Sequence, residues 1–160
     1  DYREWAFVTS GLGMTYGPAA AADGTPMFDN VFVTPASYRQ FIKTGAWPDR
    51  TMFILEIRES AANVSINNGG RTQGGVRAIE AAVKDIQRFA STGGGGYFTF
   101  DGGTGLLDRA AALPATARCY QCHSANTAVE NTFVQFYPTL FDAAKAHGTI
   151  KSTYDPNRKP

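Results

Sequence analysis

Residues 118–126 read RCYQCHSAN and hold both cysteines of the chain together with one of its two histidines. Cys119, Cys122 and His123 spell C-x-x-C-H, the pattern of c-type haem attachment. The chemistry needs that spacing. Two thiols add across the vinyl groups on one side of a porphyrin, and the adjacent imidazole then lies under the iron as proximal ligand. Three rival readings lack their remaining parts. A redox dithiol of the thioredoxin type needs the pair at a strand-to-helix turn and leaves His123 incidental. A zinc site needs four ligands, and with His147 as the only other histidine it is one short. A disulfide across two intervening residues is strained and gains little from loop closure.

Composition narrows the setting. The chain of 160 residues is read as one domain over 1–160, with length enough for a hydrophobic core. Its apolar, aromatic and charged fractions (43%, 12% and 18%) are ordinary for a folded protein. A net charge of +1 without a basic run gives no footprint for nucleic acid or an anionic membrane surface. No apolar stretch approaches the roughly 20 residues that span a bilayer. Haem c attachment is chemistry of the space outside the cytoplasm. The start at Asp1 fits an exported, periplasmic chain whose signal peptide has been removed.

The motif comes late for a small helical electron carrier, and much of what precedes it reads as strand. DNVFVT (29–34) alternates apolar and polar residues, TMFILEIRES (51–60) is an apolar run of strand length, and YFTF (97–100) is short and aromatic. Between the first two, Thr34 as N-cap, Pro35 at the first helical position and Gly45 at the end frame a helix. YPTLFDAAKAHG predicts a second helix ending at Gly148. The fold class is α+β: a mainly antiparallel sheet with a few helices, and the haem on a C-terminal helical segment. VRAIEAAVKDIQRFA (76–90) is ambiguous. Ile79, Val83, Ile86 and Ala90 recur at helical spacing, whereas a strand would put Val76, Ala78, Glu80 and Ala82 on one face. The polar tract 61–75 reads as a long mobile loop, and GGGG (93–96) as a flexible hairpin connection.

The chain as a whole resembles the cytochrome P-460 family, which includes the cytochromes c′-beta. The resemblance runs through YREW (2–5), VFVTPASY, KTG, EAAVKD with RF, CYQCH with Asn126, and FVQFYPTL (133–140). It implies a mostly antiparallel β fold, a homodimer, and one haem c with an open distal side facing the sheet. It also implies that 76–84 is a strand, with Glu80 directed at the haem. Cytochromes P-460 carry a lysine bonded to a meso carbon of the porphyrin and oxidise hydroxylamine. Cytochromes c′-beta lack the bond, cap the iron with apolar side chains and bind nitric oxide or carbon monoxide. Aligning Asp49 and Thr51 puts Leu55 where the lysine stands, and no lysine occurs in 44–83.

The expected site therefore comprises Cys119, Cys122 and His123, with His123 as the iron ligand. Glu80 aligns with the family's distal carboxylate, a proton acceptor; a sheet-face Glu paired with Arg77 or Lys84 is the bland alternative. Arg118 is a candidate partner for a haem propionate, or a solvated arginine. Phe133 and Phe136 wall the haem or fill the core. Phe32, Phe53 and Leu55 are the expected apolar cap of the distal side, against a reading as plain sheet core. Met14, Met27 and Met52 are candidate sixth ligands outranked by loop or core roles, and His147 is read as structural. Three functions stay open. The first is a five-coordinate haem protein binding nitric oxide or carbon monoxide, and the second an oxidoreductase on hydroxylamine or nitric oxide with Glu80 as base. The third is a six-coordinate electron carrier with a partner cytochrome.

Overall fold

The computed structural model describes residues 1–16 and 24–158. Among them, five strands form one antiparallel sheet in chain order: β1 (Ala6–Leu12), β2 (Phe28–Val33), β3 (Met52–Ala62), β4 (Arg71–Lys84) and β5 (Gly95–Thr99). Three helices accompany it: α1 (Pro35–Thr44) between β2 and β3, then α2 (Arg118–Asn126) and α3 (Pro138–His147). The cysteine motif lies in α2, as the expected C-terminal helical segment required.

Local chemistry accounts for α1 and α3. Each starts with Pro at its first positions and ends at a glycine in the left-handed region, Gly45 (φ 69°) and Gly148 (φ 67°). Thr34 stands at the N-cap of α1, but its hydroxyl bonds that of Ser37 rather than a backbone N–H. The two helix ends abut, since a Cβ on Gly45 would lie 2.7 Å from the Cβ of His147.

Segment 76–84 is strand, as the resemblance implied and the local helical spacing did not. Its two flanks decide this: Leu55 on β3 and Thr99 on β5 both pair with Glu80, completing backbone ladders on either side. The alternation is hidden because Ala78 and Ala82 on one face and Ile79, Ala81 and Val83 on the other are all apolar. Two other expectations are corrected. The proposed long loop shrinks to 63–70, because β3 runs on to Ala62, β4 starts at Arg71, and the two ends pair. Of the four glycines, Gly93 (φ 73°) and Gly94 (φ 83°) make the turn, while Gly95 and Gly96 belong to β5. Gly96 is held to its identity by the Phe89 ring, which would stand 2.4 Å from an added Cβ.

The pleat sorts side chains by parity. Val33, Phe53 and Tyr97 lie on the face that meets the helices and the C-terminal segment, where Phe41, Trp47, Val134 and Leu140 complete the core. On the far face β3 carries Glu56, only 2% exposed. Its carboxylate accepts from the Tyr2 hydroxyl, from Arg3 Nη2 at 2.5 Å and from Arg58 Nε at 2.6 Å, tying the N-terminus to the sheet. Burial alone would raise its pKa. The hydrogen bonds from Arg58 and Tyr2 and the charges of Arg58 and Arg3 outweigh that and pull it from 4.5 to about 2. A depressed carboxylate stabilises the fold above its unfolded pKa and loses that contribution as pH falls through its folded one. Urea midpoints of the native chain should thus drop between pH 4.5 and pH 2 by an amount that Glu56→Gln does not show. With Arg3 half in solvent, the difference should be on the order of 2 kcal/mol. Parallel pH profiles for the two chains would exclude this account.

Candidate functional site

Helix α2 carries the motif. Cys119 and Cys122 are three residues apart, hence one turn apart on one face, and both are free and half-buried. His123 follows one turn after Cys119. The Tyr120 hydroxyl donates to the Leu113 carbonyl at 3.0 Å near the start of the helix. Its end is closed by Asn126 Nδ2 donating to the Cys122 carbonyl at 3.0 Å and Thr127 Oγ1 donating to the His123 carbonyl at 2.5 Å. No residue of α2 is itself fully buried.

His123 is the most constrained side chain of the motif. Its Nδ1 lies 2.9 Å from the Asn131 carbonyl. A carbonyl only accepts, so Nδ1 carries the proton and Nε2 keeps its lone pair. The ring is held between Tyr97 (centroids 4.4 Å) and Phe133 (4.7 Å). Burial pushes the imidazole pKa down, against the opposing pull of the Asn131 bond, and favours the neutral form that ligates metals. Two free thiols on one helix face and an oriented neutral imidazole beside them fit the three protein bonds of a haem c. Among the described residues no group of three or more His, Cys, Asp or Glu side chains is arranged to hold a metal ion by itself.

The sheet supplies the facing wall. Tyr97 pairs with Ala82, and one row further Val31, Leu55, Glu80 and Thr99 stand abreast in register. Parity gives this row the same face as Tyr97, so Leu55 and Glu80 share the side on which the Tyr97 ring meets His123. Asp29 follows in the next row. Glu80 reaches solvent, yet protein around it pushes its carboxyl pKa up by desolvation, helped by the charges of Asp29 and Asp101. At the rim Tyr16 stacks on Phe133 (6.3 Å). Desolvation and the charges of Asp29 and Cys122 raise its pKa to about 12. A cavity of about 410 Å³ opens beside Cys122, between Met14, Tyr16, Phe133 and Phe136.

The expected residues divide accordingly. Cys119, Cys122, His123 and Phe133 form one cluster, and Leu55 and Glu80 lie together on the sheet wall. Phe53 shares that wall but is 7% exposed and edge-on to Trp47 at 4.8 Å, a core position. Phe32 requires correction: it pairs with Ile54, on the opposite face from Leu55, where it meets Tyr2 and Phe7. The reason is parity, since a one-residue step along a strand reverses the side. Arg118, first residue of α2, is exposed and makes no hydrogen bond among the described residues. The His147 ring lies 3.2 Å from the Ile42 carbonyl, in the structural role expected. Met52 pairs with Val83 on the far face, away from His123. Asn131, Tyr97 and Asp29 were not among the expected site residues. Asn131 acts through its backbone and leaves no side-chain signal.

Among the described residues no helix is long and apolar enough to cross a membrane. No curated protein matches the chain. A protein-family model, Cytochrome P460, matches residues 1–134, which span the sheet, α2, His123 and Phe133.

Proposed function

The chain belongs to the cytochrome P460 family, and from that premise we propose a periplasmic mono-haem c-type cytochrome whose iron binds small uncharged ligands such as nitric oxide and carbon monoxide. Membership implies haem c, and the Cys119 and Cys122 pair that would hold it is present. The observation that carries the reading is Leu55, half-buried and abreast of Glu80, on a strand without lysine. Cys119 and Cys122 supply the two thioethers. His123 supplies Nε2, its tautomer set by the Asn131 carbonyl and its ring angle by Tyr97 and Phe133. A haem c held by Cys119, Cys122 and His123 would supply an iron able to take a small ligand. Leu55 and Val31 make part of their sheet face apolar, which suits neutral diatomics. Glu80 stands beside them to hydrogen-bond or accept a proton.

A second reading, an oxidoreductase on hydroxylamine or nitric oxide, is favoured by Glu80 itself, whose raised pKa suits a proton acceptor. A homodimer fits the far face of the sheet, where Phe7 (56%) and Met52 (41%) are exposed beside Phe32, Ile54 and Phe98.

The test is the absorption spectrum of the dithionite-reduced protein, followed by titration with carbon monoxide and nitric oxide. A high-spin ferrous haem c spectrum that shifts on adding either gas is the expected result. A Soret band far to the red would reveal a cross-linked porphyrin and hand the lead to hydroxylamine turnover. A low-spin six-coordinate spectrum would favour an electron carrier.

A further inference from the structure

The hydrogen bond that orients His123 comes from an unusual turn. Val129 and Thr132 bridge each other across it, and Glu130 sits at φ 50°, a left-handed conformation costly for a side chain of its type. The turn presents the Asn131 carbonyl to Nδ1. Thr127, just before it, and Trp47 and Lys84 from other parts of the chain hold it. Thr127 Oγ1 donates to the Glu130 carbonyl at 2.8 Å, and Trp47 Nε1 donates to Thr132 Oγ1 at 2.8 Å. The Glu130 carboxylate takes Lys84 Nζ at 2.8 Å, while the same ammonium donates to the Trp47 carbonyl at 2.6 Å. Trp47 N–H closes the ring on the other carboxylate oxygen at 3.3 Å.

The geometry points to Lys84 as a positioning residue for the proximal histidine. Acting through Glu130, it fixes the turn whose carbonyl sets the basicity of His123. The inference deepens the proposed function and rests on its reading of His123 as iron ligand. Stability does not explain the ion pair well. Both partners reach solvent (25% and 33% of the side chain), and pairs so exposed are worth about 1 kcal/mol or less. A cavity of about 320 Å³, lined by Lys84, Glu130 and Asn131, lies against the pair, so water is at hand to compete for the turn. Without the clamp, relaxation at Glu130 would carry the Asn131 carbonyl with it. A firmer bond to Nδ1–H makes the imidazole a stronger donor and favours the ferric iron. Lys84 also lies one residue-quartet beyond Glu80 on β4, so a single strand reaches both the sheet wall and the support of the ligand.

The experiment compares the haem-loaded full chain with Lys84→Met and Lys84→Arg, reading the ferrous iron–histidine stretch by resonance Raman and the reduction potential. In Lys84→Met the stretch should fall, and the ferrous form should gain about tenfold over the ferric, about 59 mV for one electron. Lys84→Arg, which keeps the charge, should restore both. A folded Lys84→Met protein with native stretch and potential overturns the proposal. Should Lys84→Met not fold, Glu130→Asn removes the pair while tolerating the left-handed turn, and an unchanged stretch and potential there overturn it equally. A native chain with no iron–histidine stretch would sink the ligand assignment of His123, and the proposal with it.

Discussion

Replacing Cys119 and Cys122 together by serine is expected to abolish covalent haem altogether. The native chain should keep its haem stain through denaturing electrophoresis, and the double variant should show none. Thioether formation requires the thiol sulfur, and both cysteines of the chain lie in this one motif. The fold should survive the change, because neither side chain is fully buried and serine is close in size. At partly buried positions a thiol-to-hydroxyl exchange of similar volume should cost about 1 kcal/mol, well inside the margin of a folded domain. Far-UV circular dichroism on the same samples separates lost attachment from lost structure. Haem retained after denaturation would refute the attachment chemistry and point to a bond from another side chain.

The second large effect lies in the core. Phe41 is fully buried on α1, its ring 4.1 Å from Trp47, which in turn meets Phe53 of β3 edge-on. Truncation to alanine removes the ring and leaves a cavity that these aromatic neighbours can close only in part. Phe-to-Ala changes at such sites cost about 3–5 kcal/mol, a large share of the roughly 5–15 kcal/mol by which a domain is stable. For a chain of this length the melting temperature should fall by about 10 °C. A fall of only a degree or two in calorimetry would mean that the aromatic stack is not what joins α1 to the sheet.

Much of this fold was readable along the chain because its signals are local. Pro35 with Gly45, and Pro138 with Gly148, mark helices whose ends depend on backbone conformations that proline and glycine favour. The attachment motif is equally local. Strand β4 was not readable from its own residues, because it is apolar on both faces and its ladders come from β3 and β5. Phe32 shows a related limit. Alternation reveals that neighbours in a strand face opposite ways, but the choice of side belongs to packing. The support of His123 is the least visible part. It depends on one carbonyl, at Asn131, and on a turn held from Trp47 and Lys84, residues 83 and 46 positions from Glu130. Nothing in the spacing of the motif encodes that meeting.

Helix α2 has no fully buried residue, while the centre of the molecule is filled from β2, β3, α1, α3 and residues 128–137. Chemistry and robustness are thus assigned to different stretches of the chain. In many proteins a new activity erodes the margin of folding, because the residues that must change are also the ones that hold the fold. Here α2 offers exposed side chains, at Arg118, Gln121, Ser124 and Ala125, that can vary with little consequence for that margin, while Tyr120, His123 and Asn126 hold the helix in place. An engineer reshaping the surroundings of His123 on the same scaffold would therefore start from those exposed positions and leave the anchored ones untouched.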